Sequence, residues 1–160
     1  MNTSITIIGI IILALFLLPW VIISRSSKGT VKRLVKNLNS EASINELIIS
    51  DCDSWGESTI GIDEKKNKII YVDESHGDKD VKIFSLKDVE VFKTIPDLTN
   101  KKYQHNEYKK TNKVGLSFIF RERSRSDINI TFYVAGFGGL SKKEEHIFEK
   151  WSEIIRKKLG

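Results

Sequence analysis

The feature that most constrains this chain is an uncharged apolar run near its beginning. Residues Ile5–Ile23 read ITIIGIIILALFLLPWVII, nineteen positions without Lys, Arg, Asp or Glu. As an α-helix, this run would be about 28 Å long at ~1.5 Å per residue, close to the roughly 30 Å hydrocarbon core of a bilayer. The run also lacks the polar face of a buried helix in a globular domain. It therefore predicts a transmembrane anchor over residues 1–24.

A cleaved secretory signal is one alternative to this anchor. Such a signal has a basic N-terminal region, a shorter apolar core and a small-x-small cleavage site. Asn2, Thr3 and Ser4 carry no basic side chain, and the stretch LLPWVIISRS offers no such site. The sequence therefore favours an anchor that stays attached to the chain.

The residues that flank the run predict its orientation. Trp20 lies near one end, where an indole ring can sit at the membrane interface. Basic residues follow it, and the predicted membrane-interface set is Trp20, Arg25, Lys28, Lys32, Arg33 and Lys36. By the positive-inside rule the N-terminus lies outside and the chain after Ser24 lies in the cytoplasm. The expected location is the inner (plasma) membrane, with a single pass.

Residues 25–44 are predicted to form a basic amphipathic segment. Val31, Leu34, Val35 and Leu38 have the i, i+3, i+4, i+7 spacing of an apolar helix face. Two interpretations stay open. The helix either lies against the inner leaflet, where its cations attract anionic lipid, or packs on the domain that follows it.

The composition favours a folded domain after this segment. Charged residues make up 29% of the chain and apolar residues 40%, which excludes both a disordered chain and a polytopic membrane protein. The formal net charge is +5. Cys52 is the single cysteine, so an internal disulfide framework and a multi-cysteine zinc cluster are excluded.

Apolar and polar residues alternate over much of residues 45–135, which is the period of a half-buried β-strand. The alternation is most regular in Lys113–Arg121 and Asp127–Ala135. Further strands are predicted at Glu46–Ser50, Ser58–Asp63, Lys68–Asp73, Val81–Ser85 and Asp88–Ile95. The sequence thus predicts about seven strands.

A helix is predicted at the C-terminal end. The segment Ser141–Glu144 (SKKE) matches the capping box, in which each end side chain satisfies a backbone N–H at the helix start. The apolar residues that follow share one broad face: Ile147, Phe148, Trp151, Ile154 and Ile155. Such a face requires an apolar partner, which an antiparallel sheet supplies. Trp151 lies in the middle of the face and is predicted to be its main anchor.

This order of elements resembles that of a pleckstrin-homology-like (PH-like) domain. The resemblance is carried by GIDEKKNKIIYVD (Gly61–Asp73), KIFSLKDVEVFK (Lys82–Lys93) and EKWSEII (Glu149–Ile155). These segments look like parts of small bacterial membrane-anchored proteins with a PH-like domain, which are largely of unknown function. The expected fold class is α+β: an N-terminal transmembrane helix, then a PH-like antiparallel β domain of about seven strands over residues 45–160, capped by a C-terminal α-helix. A different α+β domain, with a meander sheet and one covering helix, is the alternative.

Three lysines in the first predicted hairpin, Lys65, Lys66 and Lys68, form the candidate binding site. The resemblance implies this position, because PH domains that recognise lipid headgroups use basic residues of the first hairpin loop. Asp63 and Glu64 partly cancel the local charge, so a solvated surface is the alternative interpretation. Other basic residues cluster in the long polar stretch and the last hairpin: Lys101, Lys102, Lys109, Lys110, Lys113, Arg121, Arg123 and Arg125.

The residues predict neither catalysis, a metal site nor a cofactor. His76, His105 and His146 lack metal-ligand spacing. Acidic neighbours raise the pKa of a thiol, so Cys52 is not expected to be reactive. The glycine-rich run Gly136–Gly139 lacks the full fingerprint of a phosphate-binding loop.

The predicted function is a non-enzymatic, membrane-anchored binding or scaffold module. Its cytoplasmic domain would contact a protein partner or an anionic membrane surface, including lipid headgroups. Nucleic acid is disfavoured, because the basic residues are not interleaved with stacking aromatics. A structural subunit of a membrane complex and a small membrane-tethered enzyme are alternatives from other classes.

Overall fold

The computed structural model describes residues 29–95, 113–134 and 140–160, and contains two helices and seven strands in these ranges. Helix α1 covers residues 29–44. The strands are β1 (Asp51–Trp55), β2 (Ser58–Asp63), β3 (Lys68–Asp73), β4 (Asp80–Ser85), β5 (Val89–Ile95), β6 (Lys113–Phe120) and β7 (Ile128–Val134). A short 3₁₀ turn, Leu86–Asp88, separates β4 from β5, and helix α2 (Lys142–Leu159) follows the strands.

The strands form two antiparallel sheets. The larger sheet has the order β1-β2-β3-β4, and the smaller sheet has the order β5-β6-β7. The boundary between them is the 3₁₀ turn, where the Ser85 hydroxyl accepts a hydrogen bond from the backbone N–H of Lys87. Because Leu86 in this turn is buried, the chain changes direction there without leaving the core.

One hydrophobic core joins the two sheets and α2. Its main side chains are Trp55, Ile60, Ile62, Ile69, Tyr71, Phe84, Leu86, Val89, Val114, Leu116, Phe118, Phe120, Ile130, Phe132, Ile147, Phe148, Trp151 and Ile155. The rings of Trp55 and Phe132 stack with their centroids 4.1 Å apart. Trp55 Nε1 also donates a hydrogen bond to the carbonyl oxygen of Thr131 at 3.2 Å. These contacts hold β1 of the larger sheet against β7 of the smaller one.

Helix α2 confirms the predicted capping box and the predicted role of Trp151. Ser141 Oγ accepts a hydrogen bond from the Glu144 N–H, and the Glu144 carboxylate accepts one from the Ser141 N–H. Trp151 is fully buried in the core. Its Nε1 donates to Asp53 Oδ2 at 2.9 Å, so the one polar atom of the indole is paired where water cannot reach it.

A charged contact beside Trp151 fixes α2 to β1. Lys150 Nζ lies 2.9 Å from Asp51 Oδ1 and 2.8 Å from Asp53 Oδ2. Partial burial disfavours the charged ammonium, but the hydrogen bonds to these two carboxylates outweigh it. They hold the pKa of Lys150 above its ordinary value. The two aspartates of β1 therefore serve the docking of α2.

Helix α1 covers the other face of the larger sheet. Its buried side chains meet that face in a second, smaller core: Leu38, Ala42, Leu47, Ile70 and Val72. Gly61 permits this approach, because a Cβ atom there would lie 2.9 Å from Leu38 Cδ2. Of the two interpretations of the amphipathic segment, the helix packed on the following domain matches the structure. Both faces of β2 are consequently buried.

The predicted strand at Glu46–Ser50 is wrong. Glu46 has a left-handed backbone (φ 56°), and the Leu47 N–H donates to the carbonyl oxygen of Ala42, so this segment closes the end of α1. The actual first strand, DCDSW, was missed because its aspartates give it no regular alternation. Their contacts with α2 explain that composition.

The two-sheet arrangement contradicts the predicted fold class. The prediction placed about seven strands in a PH-like domain closed by one C-terminal helix, whereas the strands divide four and three and a second helix, α1, covers the larger sheet. The physical reason is that β3 carries apolar side chains on both faces, Ile69 and Tyr71 towards one core and Ile70 and Val72 towards the other. Such a sheet needs a layer on each side.

The predicted membrane span is also contradicted for the part of the chain that the structure describes. No helix among residues 29–95, 113–134 and 140–160 is long and apolar enough to cross a membrane. Both α1 and α2 bury most of their apolar residues and carry charged residues on the exposed side. The predicted span, residues 1–24, lies outside the described residues. The prediction of a single pass, with its orientation and its inner-membrane location, is corrected: no helix that the structure describes supports it.

Replacing Trp151 with alanine should remove much of the stability of this fold. The cavity and the loss of the hydrogen bond to Asp53 should lower the free energy of unfolding by about 3–5 kcal/mol. Glu153→Ala is the matched control, because Glu153 is exposed on the same helix and should change it by no more than about 0.5 kcal/mol. Urea denaturation of both variants gives the comparison, and equal midpoints would contradict the packing of α2.

Candidate functional site

The three lysines predicted as a binding site lie in and beside the turn between β2 and β3. Lys65 and Lys66 are exposed in the turn, and Lys68 begins β3. Lys66 Nζ donates a hydrogen bond to the carbonyl oxygen of Glu46 at 2.5 Å, which ties the turn to the end of α1. The structure does not gather the three ammonium groups around one concave site.

The predicted membrane-interface residues divide into two groups. Trp20, Arg25 and Lys28 lie outside the described residues. The others, Lys32, Arg33 and Lys36, are exposed on α1. Arg33 lies 3.3 Å from the carboxylate of Glu74, so its guanidinium pairs within the domain.

The remaining candidates from the sequence give no reactive group. Cys52 is half-buried, and burial together with the carboxylates of Asp53 and Asp51 raises the pKa of its thiol. In the described ranges no three His, Cys, Asp or Glu side chains are grouped so that they could hold a metal ion. The run Gly136–Gly139 lies outside the described residues.

A cleft of about 410 Å³ lies where the two sheets and the last turn of α2 meet. We call it the basic cleft. Four cationic side chains and one carboxylate line it: Lys87, Arg121, Arg156, Lys158 and Glu90. Its apolar lining consists of Leu86, Val89, Phe92 and Leu159. The cleft thus combines an apolar surface with an excess of positive charge.

Backbone hydrogen bonds fix one side of the basic cleft. The Arg121 N–H donates to the carbonyl oxygen of Asp88 at 3.0 Å, which holds the end of β6 beside the 3₁₀ turn. The Leu86 N–H donates to the carbonyl oxygen of Asn67 at 2.9 Å. Asn67 has a left-handed backbone (φ 52°), which an asparagine tolerates better than most residues. Lys87 and Arg121 therefore project from rigid supports.

Helix α2 brings the other side of the basic cleft into place. Arg156 Nη2 lies 3.5 Å from Thr94 Oγ1, so the end of α2 reaches β5. Lys158 Nζ lies 3.6 Å from Glu64 Oε1 in a half-exposed ion pair. Such pairs contribute little, about 0–1 kcal/mol, and a competing anion can replace the carboxylate.

Two cations of the basic cleft, Lys87 and Arg121, have no side-chain partner among the described residues. In the described part of the chain, the side chains of Lys87 and Arg121 form no hydrogen bond or ion pair. Lys87 and Arg121 are both exposed. Their charge and their N–H donors are available to a ligand.

Arg125 shows what a structural arginine looks like in the same region. Its guanidinium carbon lies 4.0 Å from the centre of the Phe120 ring. Its Nη2 donates to the carbonyl oxygen of Ile83 at 3.3 Å, and its Nη1 lies 3.5 Å from Asp88 Oδ2. Arg125 thus has a cation–π contact, a hydrogen bond and an ion pair. None of these contacts is found at Arg121 among the described residues.

A buried acceptor also lies at the basic cleft. Asn67 lines it, and Asn67 Oδ1 is the single buried side-chain oxygen or nitrogen in the described ranges without a hydrogen-bond partner. Buried polar atoms in folded proteins are nearly always paired. Among the described residues, an amide oxygen without a hydrogen-bond partner therefore lies in the same cleft as the Lys87 and Arg121 side chains.

Sequence reasoning found some of these residues but not the site. Arg121 belongs to the predicted basic last hairpin, whereas Arg156 and Lys158 were not among the predicted binding residues. Lys87 carried one signal, the short LKD break between two alternating segments. These residues are distant in sequence, and only the packing of α2 across both sheets brings them together.

No family model, curated protein or solved structure matches the chain. The resemblance to small bacterial membrane-anchored proteins therefore stays a prediction. The basic cleft is the feature from which a function can be inferred.

Arg121 and Arg125 should respond differently to replacement by alanine. Arg125→Ala removes a cation–π contact and a buried backbone partner, and should lower the free energy of unfolding by about 1–2 kcal/mol. Arg121→Ala removes no contact of this kind and should change it by less than about 0.5 kcal/mol. Urea denaturation distinguishes the two. Equal losses would mean that Arg121 is structural and not available for a ligand.

Proposed function

We propose that this protein is a non-catalytic binding module whose basic cleft holds an acidic segment of a protein partner. The observation that carries the proposal is a pair of exposed cations, Lys87 and Arg121, which have no side-chain partner among the described residues and lie beside an apolar surface. Guanidinium and ammonium groups bind carboxylates through charge-assisted hydrogen bonds, which are stronger than neutral ones.

The lining of the basic cleft favours binding over catalysis. Its polar side chains are cations, one carboxylate and one amide, and no histidine, cysteine or serine is among them. Acid–base or nucleophilic chemistry usually needs a group whose pKa lies near neutrality or a nucleophile with an adjacent base. The side chains of the cleft supply charge and donors for recognition.

The apolar lining favours a polypeptide over a small anion. An inorganic anion could pair with Lys87 and Arg121 but would leave Phe92 and Leu159 facing water. A peptide supplies carboxylates for the cations, and the methylene groups of its acidic side chains cover these two residues. Nucleic acid is disfavoured because Phe92, the one aromatic in the lining, is only half-exposed.

The proposal is tested with the full chain and a defined acidic peptide. The probe is fluorescein-labelled acetyl-(Glu-Val)4-amide, and its binding is followed by fluorescence anisotropy. We expect saturable binding that weakens as salt rises, since the charges of the cleft are exposed. Arg121→Glu should weaken it about tenfold or more, because a repelling carboxylate replaces a cation of the cleft.

Arg123→Glu is the matched control. Arg123 is exposed in the same hairpin as Arg121, does not line the basic cleft, and gives the same change in net charge. It should weaken binding by less than about threefold. Equal effects of the two variants would contradict a specific site, and no saturable binding would overturn the proposed function.

A further inference from the structure

We infer that the acidic segment binds as an additional β-strand along the free edge of β5. This inference rests on the proposed function, since it concerns the same basic cleft, and it adds the conformation of the partner. It follows from which sheet edges are occupied and from where the cleft lies.

The two sheets leave four edge strands in the described part of the chain: β1, β4, β5 and β7. Three of these edges have a contact from elsewhere in the domain. The carbonyl oxygen of Thr131 in β7 accepts from Trp55, and that of Ile83 in β4 accepts from Arg125. Strand β1 is held by α2 through Lys150.

Strand β5 is contacted near its end, where Arg156 of α2 reaches the side chain of Thr94, but its residues 90–93 differ from these three edges. Residues 91–93 pair with β6, where Phe92 lies opposite Phe118. Within the described ranges, the backbone of 90–93 forms no hydrogen bond to any other element. No described residue pairs with the N–H and C=O groups on its outer side, and an edge of this kind is a template for another strand.

The free edge of β5 lies at the basic cleft. Val89, Glu90 and Phe92 belong to β5 and line the cleft. A strand added there would direct every second side chain into the cleft, because side chains alternate along an extended chain. Backbone pairing would supply affinity, and Lys87 and Arg121 would select acidic residues.

Charge decides which partner fits. A second copy of this chain would bring the same cations, Lys87 and Arg121, towards each other. The net charge of +5 adds to that repulsion. An acidic segment of a different protein meets the cations with the opposite charge, and it is the partner to which the surface is complementary.

The test compares three peptides with the full chain: acetyl-(Glu-Val)4-amide, the same peptide N-methylated at every Val, and the same peptide N-methylated at every Glu. In an added strand, the N–H groups of alternate residues point towards β5. One methylated peptide should therefore bind about tenfold or more weakly, whereas the other should stay within about threefold of the parent.

Amide hydrogen exchange gives a second readout at saturating parent peptide. The outward-facing amides among residues 90–93 should exchange at least about tenfold more slowly, with β4 and β7 unchanged. If both methylated peptides bind like the parent, or if these amides show no protection, strand addition is overturned while the proposed function stands. If the parent peptide itself does not bind, the proposed function fails and this inference fails with it.

Discussion

The burial of Trp151 between the two sheets is the contact on which the rest of the structure depends. Its indole is fully buried in the core that the two sheets share, and Asp53 of β1 accepts a hydrogen bond from its N–H. Lys150 adds a second link to the same strand. Without this contact, α2 would lose the centre of its apolar face, which is part of that core. The position of α2 thus follows from one side chain and its two polar neighbours.

The same helix connects the fold to the basic cleft. Its last turn carries Arg156 and Lys158 to the 3₁₀ turn and β5, where Lys87 and Arg121 complete the lining. Charges elsewhere in the domain stabilise it, as Arg125 does against Phe120 and Asp88. At the cleft, Arg156 and Lys158 contact Thr94 and Glu64, whereas Lys87 and Arg121 have no side-chain partner among the described residues. This division between structural and available cations is the physical basis of the proposed function.

The sequence predicted the elements whose signals are local. Alternation located β6 and β7, and the Ser141–Glu144 capping box located the start of α2. It failed for β1, whose aspartates serve a helix almost a hundred positions away. It also missed the division into two sheets and the basic cleft, because both depend on contacts between distant segments. Arg121 and Arg125 look alike in sequence, and only their surroundings distinguish them.

The central claim, that α2 unites the two sheets into one unit, is tested most directly by amide hydrogen exchange of the full chain at increasing urea. Strands that unfold together with a helix share one free energy of opening and one dependence on denaturant. We predict that the slowest amides of α2, β3 and β6 exchange through a single opening, with one free energy of opening and one dependence on urea. Amides of α2 that exchange through a separate opening, several kcal/mol below that of the sheets, would contradict it.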